Sequence, residues 1–506
     1  VDFEREYVSN RNPKSGKMSR HFQIESNLSL SGSNADVRIP AKPSEQLFLI
    51  ENLYNTLKGK VSADKRISQL VKELKSAKGR SLVMSGSNNT NVQIMINGIN
   101  NLLNNYGSTL DIEKPCYLKK GNEKDIVDLI SDMKSGKVGA LIVHGVNPAY
   151  SLPKNLDFTS AIKNVELTIS TSLYMDETAS LFDYVCPQRH NLESWGDANA
   201  FHNKGALIQP TIQPLFNSRQ FQDSLLVWLG RSDDYYSFLK NYWAKKTSWN
   251  KALHDGVFEF KQTDIKAKKF KSTVSSIKTK DSGVELKLYQ STALGDGSQA
   301  NNPWLQELPD PVTRACWDNY LTISLETARS LGLRNWNVSN GALNGDVVNI
   351  SFGKNILKNV PVLIQPGQAN NSVGLAYGYG REKSGKAGDG IGVNAFIFGF
   401  ENTFSNVEIS KSEGEHEFAS VQLHHTMMGR DMVKETTLSD YIKDPKSGNP
   451  DVKFATHVGD MLAQDISLYE KHDLENGHFW NLSIDLTACI GCGSCVIACH
   501  AENNVP

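Results

Sequence analysis

This sequence has almost no net charge. Its 54 Lys and Arg stand against 55 Asp and Glu, leaving −1 over 506 residues. A chain that gathers nucleic acid by its overall field needs a strong positive excess, so that class is excluded and no acidic tail is present. Long apolar runs are also missing. Ala395-Phe396-Ile397-Phe398 is typical of those it has, far short of the ~20 residues a helix needs to cross a bilayer. Membrane attachment is therefore expected only through partners. Cysteine is scarce: there are seven, of which Cys116, Cys186 and Cys316 are scattered, too few and too odd in number for a disulfide framework. These three read as core-packing side chains. No P-loop, nucleophile elbow, zinc-protease motif or C-x-x-C-H haem attachment occurs. His424-His425 therefore reads as a surface or interfacial pair. Gly388-Asp389-Gly390-Ile391-Gly392 lacks the preceding strand and following helix of a dinucleotide loop.

The patterning that is present begins with helix and strand in turn. Apolar residues recur at i, i+3, i+4, i+7 in Ile50, Leu53, Tyr54, Leu57 and in Ile67, Leu70, Val71, Leu74. Val92, Met95, Ile96, Ile99 and Ile126, Leu129, Ile130, Met133 predict two more helices. Between them Ser81–Met84 reads as a short buried strand, followed by Ala140–Val143, Val165–Ile169 and Tyr184–Cys186. Such alternation predicts an α/β fold, a doubly wound Rossmann-like parallel sheet, which binds ligands at the carboxyl ends of its strands. Two strand ends stand out, His144-Gly145-Val146-Asn147-Pro148 and Ser170-Thr171-Ser172. Both are compatible with plain turns and with a loop holding a nucleotide-like cofactor.

Helices are predicted from Phe221 to Leu229 and from Phe238 to Trp243. The Lys-rich stretch around Lys266–Lys271 reads as a solvated linker, and Val284, Leu286 and Leu288 as a half-buried strand. From Tyr320 the pattern turns β-rich, predicting a second, barrel-like domain. The expected organisation is an α/β domain over 1–260, a linker over 261–310, a β-barrel over 311–420, a connecting segment over 421–478 and a ferredoxin-like start over 479–506. Val1-Asp2-Phe3-Glu4 carries neither an initiator Met nor a signal sequence and reads as the inside of a longer chain.

Cys489, Cys492, Cys495 and Cys499 are spaced C-x2-C-x2-C-x3-C. Thiolates are soft ligands for zinc or iron–sulfur clusters, and zinc sites ordinarily separate two ligand pairs by a longer loop. Three sulfurs at intervals of three let one loop take three corners of a cubane, while the fourth reaches a second cluster in two-cluster ferredoxins. Gly491, Gly493 and Ser494 are small enough for the backbone to approach sulfur. His500 stands where such motifs usually carry Pro. Both clusters would need further cysteines, so the iron–sulfur domain is expected to continue past Pro506.

Several stretches together are similar to molybdopterin oxidoreductases of the dimethyl-sulfoxide-reductase superfamily. They are Phe22-Gln23-Ile24-Glu25-Ser26-Asn27, Ser31–Asp36, Val143–Pro148, Asp176-Glu177-Thr178-Ala179 leading to Phe182–Pro187, and Leu192–Gly196. Leu321–Gly378 is similar to that superfamily's C-terminal double-psi-barrel-like, dinucleotide-binding domain. More narrowly, Asn301–Pro311 with Trp317-Asp318-Asn319, Gln422–His425 with Gly429-Arg430, and Trp480–Pro506 resemble the large iron–sulfur subunits of bacterial alternative complex III.

The resemblance implies an electron-transfer subunit of a membrane-bound quinol:cytochrome c (or oxidase) oxidoreductase, itself non-catalytic. Cys489, Cys492, Cys495 and Cys499 would hold iron–sulfur clusters, [4Fe–4S] with [3Fe–4S] as a further option, and the α/β half would be a scaffold without molybdopterin. The implied partners are a quinol-oxidising integral membrane subunit, multihaem and monohaem cytochrome c subunits and a terminal oxidase. The implied location is the periplasmic face of the bacterial inner membrane. The alternative is a catalytic molybdopterin subunit of polysulfide reductase or formate dehydrogenase type, whose metal ligand would lie before Val1. Cys492→Ser is expected to lower iron content and quinol-linked electron transfer while the α/β half stays folded. Iron and activity equal to the wild type would reject the ligand assignment.

Overall fold

The computed structural model describes residues 2–12, 16, 18–118, 121–276, 283–339, 341–420, 427–430, 432–470, 472–473, 475–478, 480–486, 488–489, 491 and 493–503. The chain forms two compact units, Arg20–Val421 with Gly491–Pro506, and Val1–Ser19 with Gln422–Ile490.

In the larger unit the predicted amphipathic helices form where their stripes require. Pro43–Leu57 opens on Pro43, whose missing N–H costs nothing at a helix start. Asn89 caps Thr90–Leu102 by accepting from the N–H groups of Asn91 and Val92. With Ser68–Ser76 these helices bury Leu49, Leu53, Ile67, Val71, Met95 and Ile99 in one cluster. Ser81–Met84, expected as a buried strand between them, pairs with no strand among the described residues, and Leu82 and Met84 are exposed. The Asn100 side chain takes the place of a neighbouring strand: its Oδ1 accepts from Val83 N–H (3.1 Å) and its Nδ2 donates to Val83 C=O (2.7 Å).

Ala140–Val143, Leu167–Ser170 and Tyr184–Val185 pair in parallel as a three-stranded sheet. Leu141 and Val143 share a cluster with Ile130 and Met133 of helix Glu123–Lys134, whereas Ile142 on the other face is exposed. Gly196–Phe201, Lys204–Ile208 and Val257–Glu259 form an antiparallel sheet beneath Trp243 and Trp249.

The β-rich half is one eight-stranded mixed sheet. Its order is Asn335–Asn337, Leu343–Phe352, Asn355–Ile364, Leu321–Ile323, Ser372–Tyr377, Glu285–Gln290, Thr403–Phe404, with Glu408–Phe418 also pairing to Leu343–Phe352. Glu285–Gln290, expected as a half-buried strand in a linker, lies inside this sheet, parallel to Ser372–Tyr377 and antiparallel to Thr403–Phe404. Glu285 and Leu286 are both buried, one on each face. The alternation seen in the sequence arises because the buried Glu285 carboxylate is bonded, accepting from Ser44 N–H (2.8 Å) and Ser44 Oγ (2.5 Å) at the start of helix Pro43–Leu57. Residues 261–276 are coil, as expected of the Lys-rich stretch.

The smaller unit holds helix Asp2–Ser9, helix Leu438–Lys443 and the hairpin Lys453–Thr456/Gly459–Leu462. Among the described residues no helix is long and apolar enough to cross a membrane.

Asn100→Ala removes the partners of the half-buried Val83 N–H and C=O and is expected to cost about 1–3 kcal/mol. Urea unfolding followed by circular dichroism checks this. A loss below the ordinary scatter of surface substitutions, about 0.5 kcal/mol, would show that Asn100 does not carry the segment.

Candidate functional site

The two strand ends singled out in the sequence meet at the carboxyl edge of the parallel sheet. His144 Nδ1 lies 2.9 Å from Thr171 Oγ1, and its ring stacks on Phe221 with centroids 3.9 Å apart. Burial lowers the His144 pKa. Asn147 Oδ1 accepts from Thr178 N–H (3.2 Å) and Thr178 Oγ1 (2.6 Å), and Thr178 Oγ1 accepts from Ala149 N–H (2.9 Å). Ser172 Oγ donates to Asp176 (2.8 Å), whose other oxygen accepts from Ala179 N–H (2.7 Å).

Glu177 sits at the centre of this edge. Arg381, 204 residues away, donates Nε to Oε1 (2.9 Å) and Nη2 to Oε2 (2.8 Å). Asn147 Nδ2 donates to Oε2 (2.7 Å), and the N–H groups of Glu382 (2.8 Å) and Lys383 (3.1 Å) donate to Oε1. Burial alone would raise the Glu177 pKa, but hydrogen bonds from Arg381, Asn147 and the Glu382 backbone outweigh it and hold the carboxyl at about 2. The guanidinium is fixed from behind as well. Nη1 donates to Gly297 C=O (2.5 Å), and the group lies 4.8 Å over the ring of Tyr150, whose hydroxyl donates to Tyr379 C=O (2.8 Å). The glycine-rich segment 388–392 is a turn that returns to Arg381: Gly390 N–H donates to Arg381 C=O (2.8 Å), and Asp389 ties down Ser384 and Gly385.

Phe22–Asn27 serves the same joint. Phe22–Glu25 pairs in parallel with Val37–Pro40, and Glu25 accepts from Arg38 Nε (2.6 Å) and Ser29 Oγ (2.5 Å). Gly32 passes so close that a Cβ there would fall 1.9 Å from Glu25 Oε1. Arg38 Nη1 then donates to Gly367 C=O (2.7 Å), and Gln368 donates to Asn27 (3.1 Å). Among the described residues the buried side-chain atoms without a partner are Arg38 Nη2, Gln306 Oε1 and Asn344 Oδ1, none of them on the strand-end loops, while His416 Nε2 lies 2.9 Å from the Asp318 carboxylate. Those loops satisfy one another.

The cysteine loop has a different character. Asp485 C=O accepts from Ala488 N–H (3.1 Å) and Cys489 N–H (2.9 Å). Gly491 and Gly493 have φ of 71° and 75°, a left-handed backbone that a side chain would strain. Helix Ser494–Glu502 follows, placing Cys495 and Cys499 one turn apart on the same face. Asn503 Nδ2 lies 3.5 Å from Cys499 Sγ. Cys489, Cys495 and Cys499 are exposed; Cys492 lies outside the described residues, as does His424-His425. Among the described residues no three His, Cys, Asp or Glu side chains converge.

Of the three scattered cysteines, Cys316 is buried and donates to Glu307 C=O (3.3 Å). Burial, with the nearby Glu307 and Asp310 charges, pushes its thiol up to about 11. Cys116 and Cys186, expected in the core, are exposed. Cys186 N–H continues the strand pairing to Ser170 C=O (2.8 Å), but strand Tyr184–Val185 ends there and the Cys186 side chain is exposed. Arg381 went unseen in the sequence. Its only local signal is an isolated arginine in a Gly-rich run.

No protein-family model matches the chain. The fold is mixed α/β with parallel and mixed sheets. Acetylene hydratase from Pelobacter acetylenicus superposes with a TM-score of 0.54 at 11% identity, covering 79% of this chain and 74% of that one. In sequence, the chain is 28% identical over 116 residues to the menaquinone reductase, molybdopterin-binding-like subunit of Nitratidesulfovibrio vulgaris. That match spans 22% of this chain and 17% of the relative's length.

Glu177 has a folded-state pKa below its ordinary value. Its contribution to stability is therefore present above pH ~4.5 and lost as pH falls toward about 2. Glu177→Gln is expected to lower stability at pH 7 and to flatten the decline across that acid window, read from denaturation midpoints against pH. An unchanged acid limb would show that the clasp does not couple to folding.

Proposed function

We propose that this chain is a non-catalytic electron-transfer subunit of a membrane-bound quinol-oxidising complex. The observation that carries the reading is the spacing of the cysteine quartet Cys489, Cys492, Cys495 and Cys499, with left-handed Gly491 and Gly493 and with Cys489, Cys495 and Cys499 exposed. Two further observations support it. The Nitratidesulfovibrio vulgaris relative is by name a menaquinone reductase subunit. The strand-end loops, where a doubly wound fold binds its ligand, are tied to one another and to Arg381.

In this reading the four thiolates hold iron–sulfur clusters, which when bound accept and pass on single electrons. The chain's own residues supply position and tuning. Gly491 and Gly493 let the backbone turn closely around the sulfurs, and Asn503 places an amide donor near Cys499, where a hydrogen bond to sulfur stabilises the more negative state. The partners in the proposal are a quinol-oxidising integral membrane subunit, cytochrome c subunits and a terminal oxidase, at the periplasmic face of the inner membrane.

The relative's name, molybdopterin-binding-like, keeps one competing reading in view, a catalytic molybdopterin subunit. Metal analysis separates the two. The purified complex is expected to contain iron and acid-labile sulfide, with cluster signals in low-temperature paramagnetic resonance, and no stoichiometric molybdenum or tungsten. One pterin-bound molybdenum or tungsten per chain would overturn the scaffold reading in favour of the enzyme.

A further inference from the structure

We propose that residues 261–271 form a lysine strap that holds the chain against an anionic lipid surface. The inference does not rest on the electron-transfer reading.

The first argument is charge of one sign. Lys261, Lys266, Lys268, Lys269 and Lys271 stand beside a single acid, Asp264, in a chain whose net charge is −1. All five lysines are exposed, and among the described residues none of them forms an ion pair. A coil stays in water equally well with charges of mixed sign. Lysines gathered without acidic partners add up to a local positive field instead.

The second argument is that the strap is pinned. At its start Gln262 N–H donates to Asn203 Oδ1 (2.7 Å), and Asn203 N–H donates to Gln262 Oε1 (2.9 Å). In its middle Ala267 N–H donates to Glu113 Oε1 (3.3 Å). At its far end Phe270 and Val274 close over Gly98, where a Cβ would stand 3.5 and 3.4 Å from them, and Val274 packs on the cluster that holds Leu49 and Met95. The segment is tied to the body at these points while its lysines remain in solvent. A display fixed in this way loses little chain entropy when it meets a surface.

The third argument is residue type. Every cation in the strap is Lys, and none is Arg. The planar fork of Arg is what grips a discrete carboxylate or phosphate in two bonds, and protein–protein interfaces favour Arg and deplete Lys. Point charges on flexible stems suit a partner that offers diffuse negative charge, as anionic headgroups do. Ile265 within the strap and Ile112, beside Glu113, are also exposed. They supply apolar side chains of the kind that settle among headgroups.

Each lysine near such a surface strengthens partition about fivefold at low salt, so removing four is expected to weaken it at least ~100-fold. The test uses the full chain as wild type, as Lys266→Gln, Lys268→Gln, Lys269→Gln and Lys271→Gln combined, and as Lys266→Arg, Lys268→Arg, Lys269→Arg and Lys271→Arg combined. Sedimentation with vesicles of phosphatidylcholine, alone or with one-third phosphatidylglycerol, reads binding. The wild type and the Arg variant are expected to sediment with the mixed vesicles, not with the neutral ones, and to be released as sodium chloride is raised. The Gln variant is expected to melt at the wild-type temperature and to stay in solution. Absence of wild-type binding to mixed vesicles at low salt overturns the proposal, as does equal binding by the Gln variant. Wild-type retention on polyglutamate or duplex-DNA beads that matches the vesicles assigns the strap to an acidic protein or a nucleic acid and overturns the lipid reading. Should the Gln variant fail to fold, wild-type binding that free pentalysine displaces supports the proposal, and binding that pentalysine leaves unchanged rejects it. Vesicle binding requires no cluster, so its outcome is separate from that of the metal analysis.

Discussion

A buried charge must be met by charge and hydrogen bonds, and in the larger unit this requirement holds distant parts of the chain together. An ionised carboxylate taken from water into a protein interior is costly unless its oxygens are bonded. Glu177 meets that condition with a guanidinium 204 residues away, and Glu285 with a helix start 241 residues away. Arg38 meets it by bridging Glu25 to the carbonyl of Gly367. Each links the α/β elements to the β-rich half, at Glu285 in the sheet and at Gly367 and Arg381 in loops that follow its strands. Removing one partner of a buried pair typically costs about 3–5 kcal/mol, because the other charge is stranded. The joint is thus specified by a few polar side chains, with apolar clusters on either side of it.

The same joint bears on function. At the carboxyl edge of the parallel strands, polar groups that could meet a ligand meet one another instead. Asn147, Thr178, Glu177 and Arg381 form one connected network, and His144 is stacked and bonded beside it. The cysteine loop has the opposite character. Cys489, Cys495 and Cys499 are exposed, Gly491 and Gly493 are left-handed, and helix Ser494–Glu502 has no buried residue.

Much of this was legible in the sequence where the signal is local. The helices Thr90–Leu102 and Glu123–Lys134 follow from apolar spacing and caps that lie within a few residues of each other. The parallel strands Ala140–Val143 and Leu167–Ser170 follow from short apolar runs with turn residues at their ends. The cysteine quartet is legible because ligand chemistry restricts both residue type and spacing. Ser81–Met84 misled because an apolar run cannot report that its pairing partner is the side chain of Asn100. Cys186 misled because burial depends on what covers a strand end, and its strand stops there with the side chain exposed.

The sequence by itself determined much of the order of helices and strands, the mixed α/β class and the spacing of the cysteine quartet, since each depends on residues that are neighbours along the chain. Tertiary structure alone decided that Glu285–Gln290 is an inner strand with both faces covered. It alone decided that Arg381 reaches Glu177 and that Gly32 must be glycine to pass Glu25. The physical reason is the same in each case: burial, pairing and close approach are properties of groups brought together in space, and the groups concerned here are separated by tens to hundreds of residues of chain.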